Sequence, residues 1–301
     1  MQSDLVQYSE RAAVRSLKYW LRLMFGRGTL YLGAVLLCVA FGFPVFWTLM
    51  SSFKTAGEMH NLPIVIMPKV LRFQNYVDIF TIPRIPVLIW VWNSVTVTAL
   101  ATLGTVITAA IVGYGFARFE FRGRDALFFV TLATMMLPAQ VTLIPQFILF
   151  NQLGWINTLL PLWVPYWFGG GGFSIFLMRQ FIRTLPRDLD EAAVLDGASF
   201  PRIFWSILLP LCKPVLATLA IISVVANWGD YLGPLIFLNS PEKFTAAIGL
   251  HFFITTVEVG GEPMEHILMA ACILTMLPVT LVFFLGQRYF VQGIAMSGIK
   301  G

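Results

Sequence analysis

"EAAVLDGASFPRIFWSILLP", residues 191–210, interrupts a chain of 301 residues that is 58% hydrophobic and only 12% charged. Soluble domains carry charge at roughly 25% of positions, so the composition is that of an integral membrane protein built from helices. Pro186 can open a helix, which puts Asp188, Asp190 and Glu191 in its first turns, where carboxylates favour the positive end of the helix dipole. Ala192, Ala193 and Leu195 are helix formers, Asp196 closes the segment, and Gly197 suits the left-handed conformation that ends a helix. Ser199 is placed to cap a second helix with Pro201 in its first turn. Phe200, Ile203, Phe204, Ile207 and Leu208 then recur at the spacing of one apolar face, and Leu209 and Pro210 follow. Ten residues of helix reach only about 15 Å, half a bilayer core, so neither piece can span and the pair is expected to lie on the membrane surface.

Working outward, six apolar stretches are long enough to cross a bilayer, at about 29–51, 89–114, 127–149, 158–178, 214–237 and 267–287. An even number of spans puts both termini on one side. Arg11, Arg15, Lys18, Arg22 and Arg27 precede the first span; Arg118, Arg122 and Arg124 lie in the second connection. Arg179, Arg183, Arg187, Arg202 and Lys213 lie in the fourth connection, and Arg288 and Lys300 follow the last span. Only Lys54, Lys69, Arg72, Arg84 and Lys243 fall on the opposite side, so the richer side is expected to face the cytoplasm. The resulting division is a basic N-terminal arm (1–28), a transmembrane region (29–287) with a cytoplasmic loop at 179–213, and a cytoplasmic tail (288–301). Residues 51–86 and 239–266 become external loops open to a partner. The spacing of Leu17, Trp20, Leu21 and Met24 also fits an arm lying on anionic lipid.

Pro44, Pro138, Pro145, Pro161, Pro165, Pro234 and Pro278 fall within or beside the spans and predict kinks and breaks. The run "FGGGG", 168–172, is expected to serve close packing in the fourth span rather than a hinge. Cys38, Cys212 and Cys272 are far apart among apolar neighbours, which reads as structural thiols rather than metal ligands. The net charge of +5 comes with no basic stripe, which argues against nucleic acid. No G-x-x-x-x-G-K-[ST], H-E-x-x-H or G-x-S-x-G motif occurs, and His60, His251 and His266 are dispersed, so neither an ATP-binding loop nor a hydrolase is legible.

Glu191-Ala192-Ala193, three residues, Gly197, nine residues, then Ile207-Leu208-Leu209-Pro210 reproduces the signature E-A-A-x3-G-x9-I-x-L-P. In these residues the chain resembles the permease subunits of binding-protein-dependent ABC importers. "NSVTVTALATLGTVITAAIVGYGFARFEFRGRD" from Asn93, "MMLPAQVTLIPQFILFNQLGWINT" from Met135 and "QRYFVQGIAMSGIKG" from Gln287 look like the carbohydrate branch, similar to the smaller permease of maltose-type and glycerol-phosphate-type importers. The resemblance implies a type I importer fold of six spans in the cytoplasmic membrane, a second permease, two ATPase subunits that hold ATP and Mg, and an external substrate-binding protein. This chain would then bind no cofactor and hydrolyse nothing. By position, the residues expected to couple to an ATPase are Glu191, Ala192, Ala193, Asp196, Gly197, Ser199, Ile207, Leu209 and Pro210.

In "VVANWGDYLGPLIFL", 224–238, Asp230 lies in an apolar span, where an ionised carboxylate costs roughly 2.5–3.5 kcal/mol. Asn227, Trp228, Asp230 and Tyr231 share about one helical turn and offer an aromatic face with hydrogen-bonding groups, a combination that binds sugars. Pairing of Asp230 with a partner subunit or water is an equal alternative. Gly229 and Gly233 depart from the resembled family's pattern here and weaken the choice of substrate. Asn93 and Gln140 are further candidates for lining the path. A non-sugar solute, such as a glycerol phosphate, polyamine or amino acid, or a self-contained secondary transporter, stands as the alternative.

Overall fold

The computed structural model describes residues 2–82, 85–260 and 264–298; the side chains of 2–25, 27, 139, 257–260 and 288–298 lie outside the described residues. The lipid-facing arrangement expected of Leu17, Trp20, Leu21 and Met24 therefore falls outside them. Contacts divide the chain into Met1–Arg72 and Phe73–Gly301.

The first unit holds α1 (Gln2–Ser51) and the short α2 (Ala56–His60). Beyond α1 the chain is folded rather than a bare loop. Thr55 and Glu58 form a reciprocal cap on α2, and the Glu58 carboxylate accepts from Thr55 N at 3.0 Å and from Lys69 N at 3.1 Å. These donors, Thr55 first, hold the Glu58 carboxyl below its ordinary value. The Lys54 ammonium is enclosed, 4.0 Å above the Trp47 ring, and donates to Ser51 Oγ at 3.2 Å.

The second unit runs α3 (Asn75–Asp78), α4 (Val87–Arg118), α5 (Arg124–Ala133), α6 (Ala139–Gln152), α7 (Leu160–Trp163) and α8 (Gly172–Thr184). It continues with α9 (Asp188–Leu195), α10 (Phe200–Ile203), α11 (Leu209–Leu211), α12 (Lys213–Trp228), α13 (Leu232–Phe237), α14 (Ala246–Gly260) and α15 (Glu265–Gly298). One π turn, Phe204–Leu208, joins α10 to α11.

The central element is α4, whose 32 residues contain no proline. Ala101, Ala109, Ala110 and Ala117 are buried along it, and its small side chains let α8 and α12 approach closely. A Cβ on Gly113 would stand 2.7 Å from Met178 Cβ, and one on Gly104 would stand 2.6 Å from the Trp167 ring. Two cores form along this rod. Near its Val87 end, Trp90 and Val97 pack with Phe150, Leu162, Phe237 and Phe253. Near its Arg118 end, Tyr114 and Ala117 pack with Met178, Ile182, Ile203 and Leu208.

The helices add detail to three expectations. Among the described residues three helices, Gly28–Ser51, Val87–Arg118 and Glu265–Gln287, are long and apolar enough to cross a membrane, and up to five spans result if each of two bent pairs is counted as one. These are Arg124–Met136 with Gln140–Gln152, at 100°, and Phe200–Leu211 with Lys213–Trp228, at 76°. The stretch read as a fourth span, 158–178, is not one helix: α7, a 3-10 turn at Val164–Trp167, and α8 are separated by the glycine run. Gly169, Gly170 and Gly171 have φ of 131°, 63° and 85°, which breaks the helix. The same run does pack closely, because a Cβ on Gly170 would stand 2.7 Å from Thr105 O. Finally, the external loop expected at 239–266 contains α14, an apolar helix with Phe253 fully buried.

Candidate functional site

The 191–210 segment is a helix–turn–helix, as its local signals require. Asp188, Asp190 and Glu191 occupy the first turn of α9. Gly197, at φ 76°, donates its N–H to Val194 O at 3.0 Å, and Ala198 N donates to Ala193 O at 2.9 Å, the paired closure of a glycine-terminated helix. Ser199 is extended at the N-cap of α10, but its side chain makes no capping hydrogen bond, contrary to expectation. Ala193 is buried and Ile207 and Leu209 are half-buried against the bundle, whereas Glu191, Ala192, Asp196, Gly197, Ser199 and Pro210 are exposed. Of the apolar face, Ile203, Phe204 and Leu208 are buried but Phe200 is exposed. Leu195, at the tip, is 88% exposed, which leaves an apolar knob beside the turn.

The element is held to the end of α4. Arg118 Nε lies 3.0 Å from Asp190 Oδ2 as a close ion pair, and its Nη2 donates to Leu185 O at 3.0 Å and Pro186 O at 3.4 Å. Tyr114 packs its ring 5.0 Å from Phe204, and Phe119 packs 5.2 Å from Phe200. Residues on one helix end thus grip both halves of the helix–turn–helix. Nearby, Arg179 lies 3.9 Å above the Phe128 ring, and burial pulls its guanidinium below the ordinary arginine value.

A cavity of about 770 Å³ lies among α6, α7, the turn after it, and the α12–α13 junction. Its wall is largely apolar and aromatic, with Gln146, Tyr166 and Asp230 as polar exceptions, a composition suited to a small polar ligand. Asp230 does not sit inside a helix: α12 ends at Trp228, and the carboxylate caps α13 by accepting from Gly233 N at 3.3 Å. A Cβ on Gly233 would stand 2.6 Å from Asp230 Oδ2, so glycine there makes room for the carboxylate.

The other expected path residues scatter. Asn227 donates to Ser223 O at 2.8 Å and Oγ at 3.1 Å, and Thr102 donates to Ser223 Oγ at 3.1 Å, which ties α12 to α4. Trp228 and Tyr231 do not line the cavity; the Tyr231 ring packs against His251. Asn93 donates to Glu242 O at 3.0 Å and Phe244 O at 2.9 Å and so fastens α4 to the segment before α14. Gln140 is exposed on α6, while Gln146, six residues on, faces the cavity. Sequence reading missed Gln146 and Tyr166; the first lies in the same "LPAQVTLIPQF" run, but its helical phase is visible only once the α5–α6 bend is known.

Helices long and apolar enough to cross a bilayer place the chain in the class of multi-pass membrane proteins. The chain is a member of the binding-protein-dependent transport system inner membrane component family, whose model matches residues 105–296. It is 33% identical over 269 residues to the arabinooligosaccharides transport system permease protein AraQ of Bacillus subtilis, covering 89% of this chain and 93% of that protein. It is 30% identical over 273 residues to the trehalose/maltose transport system permease protein MalG of Thermococcus litoralis, covering 90% and 96%. A chain in the crystal structure of a bacterial ABC transporter involved in the import of the acidic polysaccharide alginate shares the fold. Its TM-score is 0.76 at 22% identity, with 89% of this chain and 97% of that chain covered.

Proposed function

We propose that this chain is one half of the pore of an ATP-driven importer that takes up an oligosaccharide, sugar or polyol delivered by an external binding protein. In this reading it crosses the cytoplasmic membrane six times with both termini inside, and it pairs with a second permease and two ATPase subunits that carry ATP and Mg. Support for six crossings comes from the bent α5–α6 pair, the broken 158–178 segment, and α12 with α13, each able to traverse the core as paired pieces. Support for sugar comes from relatives named for arabinooligosaccharides, trehalose/maltose and galactooligosaccharides. The observation that carries the reading is the exposed helix–turn–helix at 188–211, closed at Gly197 and gripped at Arg118. A short helix held firmly to a bundle while its tip stays exposed transmits a push from a separate subunit. ATPase closure would displace α9, shift the bundle and expose the Asp230 cavity to the loaded binding protein.

The test is uptake by the complex reconstituted in liposomes with its ATPase and binding protein, assayed across arabino-, malto- and galactooligosaccharides, glycerol phosphates and polyamines. ATP-dependent uptake of one carbohydrate class is expected. Uptake of a non-sugar solute alone would overturn the carbohydrate assignment, and robust uptake by this chain without an ATPase would make it a secondary transporter.

A further inference from the structure

The handle and the far side of the bundle are joined by one continuous element. Among the described residues of the second unit, the other apolar segments long enough to span are interrupted or contain proline. The α5–α6 pair bends by 100°, the glycine run splits α7 from α8, Lys213–Trp228 meets its partner at 76°, and α15 contains Pro278. By contrast α4 runs unbroken for 32 residues, about 48 Å, and has no internal proline. It is jointed at both ends. At Arg118 it holds Asp190 of α9 and the carbonyls of Leu185 and Pro186. At its other end Asn93 holds the carbonyls of Glu242 and Phe244, and the Trp90 indole donates to Pro241 O at 2.8 Å.

We infer that α4 is the rod that carries displacement of the handle across the bundle to the 241–244 segment, and that Arg118 is the positioning residue that couples the two. The inference rests on the permease reading above. A helix moves as a rigid body only where its hydrogen-bond ladder is intact, so a push on α9 reaches the opposite side through α4 with least loss. Arg118 suits a joint because one guanidinium reaches three oxygens at the base of the handle at once: the Asp190 carboxylate as an ion pair at 3.0 Å, and the adjacent Leu185 and Pro186 carbonyls by hydrogen bonds from Nη2. Lysine keeps the charge but has no fork to hold all three. Asp190 stands one residue before Glu191, so the joint lies inside the handle and leaves the exposed face of α9 free for an ATPase.

The experiment compares Arg118→Met, Arg118→Lys, Asp190→Asn and the exchanged pair Arg118→Asp/Asp190→Arg in the complete reconstituted transporter. It reads co-purification of the ATPase, the rate of hydrolysis, and the number of ATP molecules hydrolysed per substrate imported. In the single variants the ATPase is expected to remain bound and active while ATP hydrolysed per substrate rises by about 2- to 30-fold, the range of a coupling perturbation along such a path. Arg118→Lys should fall between wild type and Arg118→Met, and the exchanged pair should recover part of the loss. Unchanged stoichiometry in Arg118→Met, or hydrolysis and uptake falling together in all variants, would overturn the role of Arg118. If Arg118→Met fails to assemble, Arg118→Lys and Asp190→Asn decide by the same ratio. Absence of ATP-dependent uptake by the wild-type complex would instead sink the permease reading, so the two failures are distinguishable.

Discussion

At its Val87 end, α4 is fastened by neutral donors on backbone oxygens: Trp90 to Pro241, and Asn93 to Glu242 and Phe244. Ser94 Oγ also accepts from Ala246 N at 2.8 Å. At its Arg118 end the fastenings are an ion pair, charged donors on the Leu185 and Pro186 carbonyls and packed aromatic rings, and the segment they hold keeps Val194, Leu195 and Trp205 exposed. The first arrangement completes a core, with Trp90 and Phe253 fully buried. The second fixes the base of an element whose tip is open. Neutral bonds to buried carbonyls lock a register, whereas a charged fork beside an exposed helix orients a part that must meet another subunit.

The comparison breaks most readily at Trp90. Trp90→Ala removes a fully buried ring and its bond to Pro241 and should cost about 3–5 kcal/mol, read as a lower melting temperature of the purified complex. Next is Asn93→Leu, which leaves two carbonyls without their donor and should cost about 1–3 kcal/mol with sugar selectivity unchanged. Altered selectivity at unchanged melting would return Asn93 to the substrate path. Gly197→Val sharpens the contrast from the other end: a branched residue at φ 76° is disfavoured by about 1–2 kcal/mol, confined to the handle. Melting of the bundle should barely move while uptake falls and insertion is normal; wild-type uptake would argue against the handle's role.

The smallest effect concerns acid. Because the Glu58 carboxyl is held below its ordinary value of 4.5, its contribution is complete above that value and is lost as pH falls through the lower value of the folded loop. Hydrogen-exchange protection around 55–69, corrected for the intrinsic rate, should therefore fall on acidification below about pH 4.5, while protection at the neutral ties of Trp90 and Asn93 stays flat. Equal acid sensitivity in both places would show that the neutral ties depend on titrating neighbours.

Local chemistry was legible and long-range chemistry was not. Asp188 to Gly197 signalled its own helix and stop, because a helix dipole and a left-handed glycine act within a few residues. The membrane class followed from composition, and the permease family from the spacing of Glu191, Gly197 and Pro210. Hydropathy did not show the break within the 158–178 stretch, since it registers apolarity and is blind to three consecutive positive-φ glycines. It also missed α14, whose burial depends on Trp90 and Phe244 from other parts of the chain. The tie that Asn93 makes to the segment before α14 was not legible, because its partners stand 149 and 151 residues away, beyond any local pattern. Asp230 stood out in an apolar stretch, but its donor, Gly233 N, exists only because α12 stops at Trp228.

The most direct test of the central claim is cross-linking at the tip of the handle. In a background with Cys38, Cys212 and Cys272 replaced, Leu195→Cys should form a short cross-link to the ATPase subunit in the assembled transporter. That link should block uptake until it is reduced. Uptake that proceeds at the wild-type rate with Leu195→Cys open to a small thiol reagent throughout the cycle, and no ATPase captured, would contradict it.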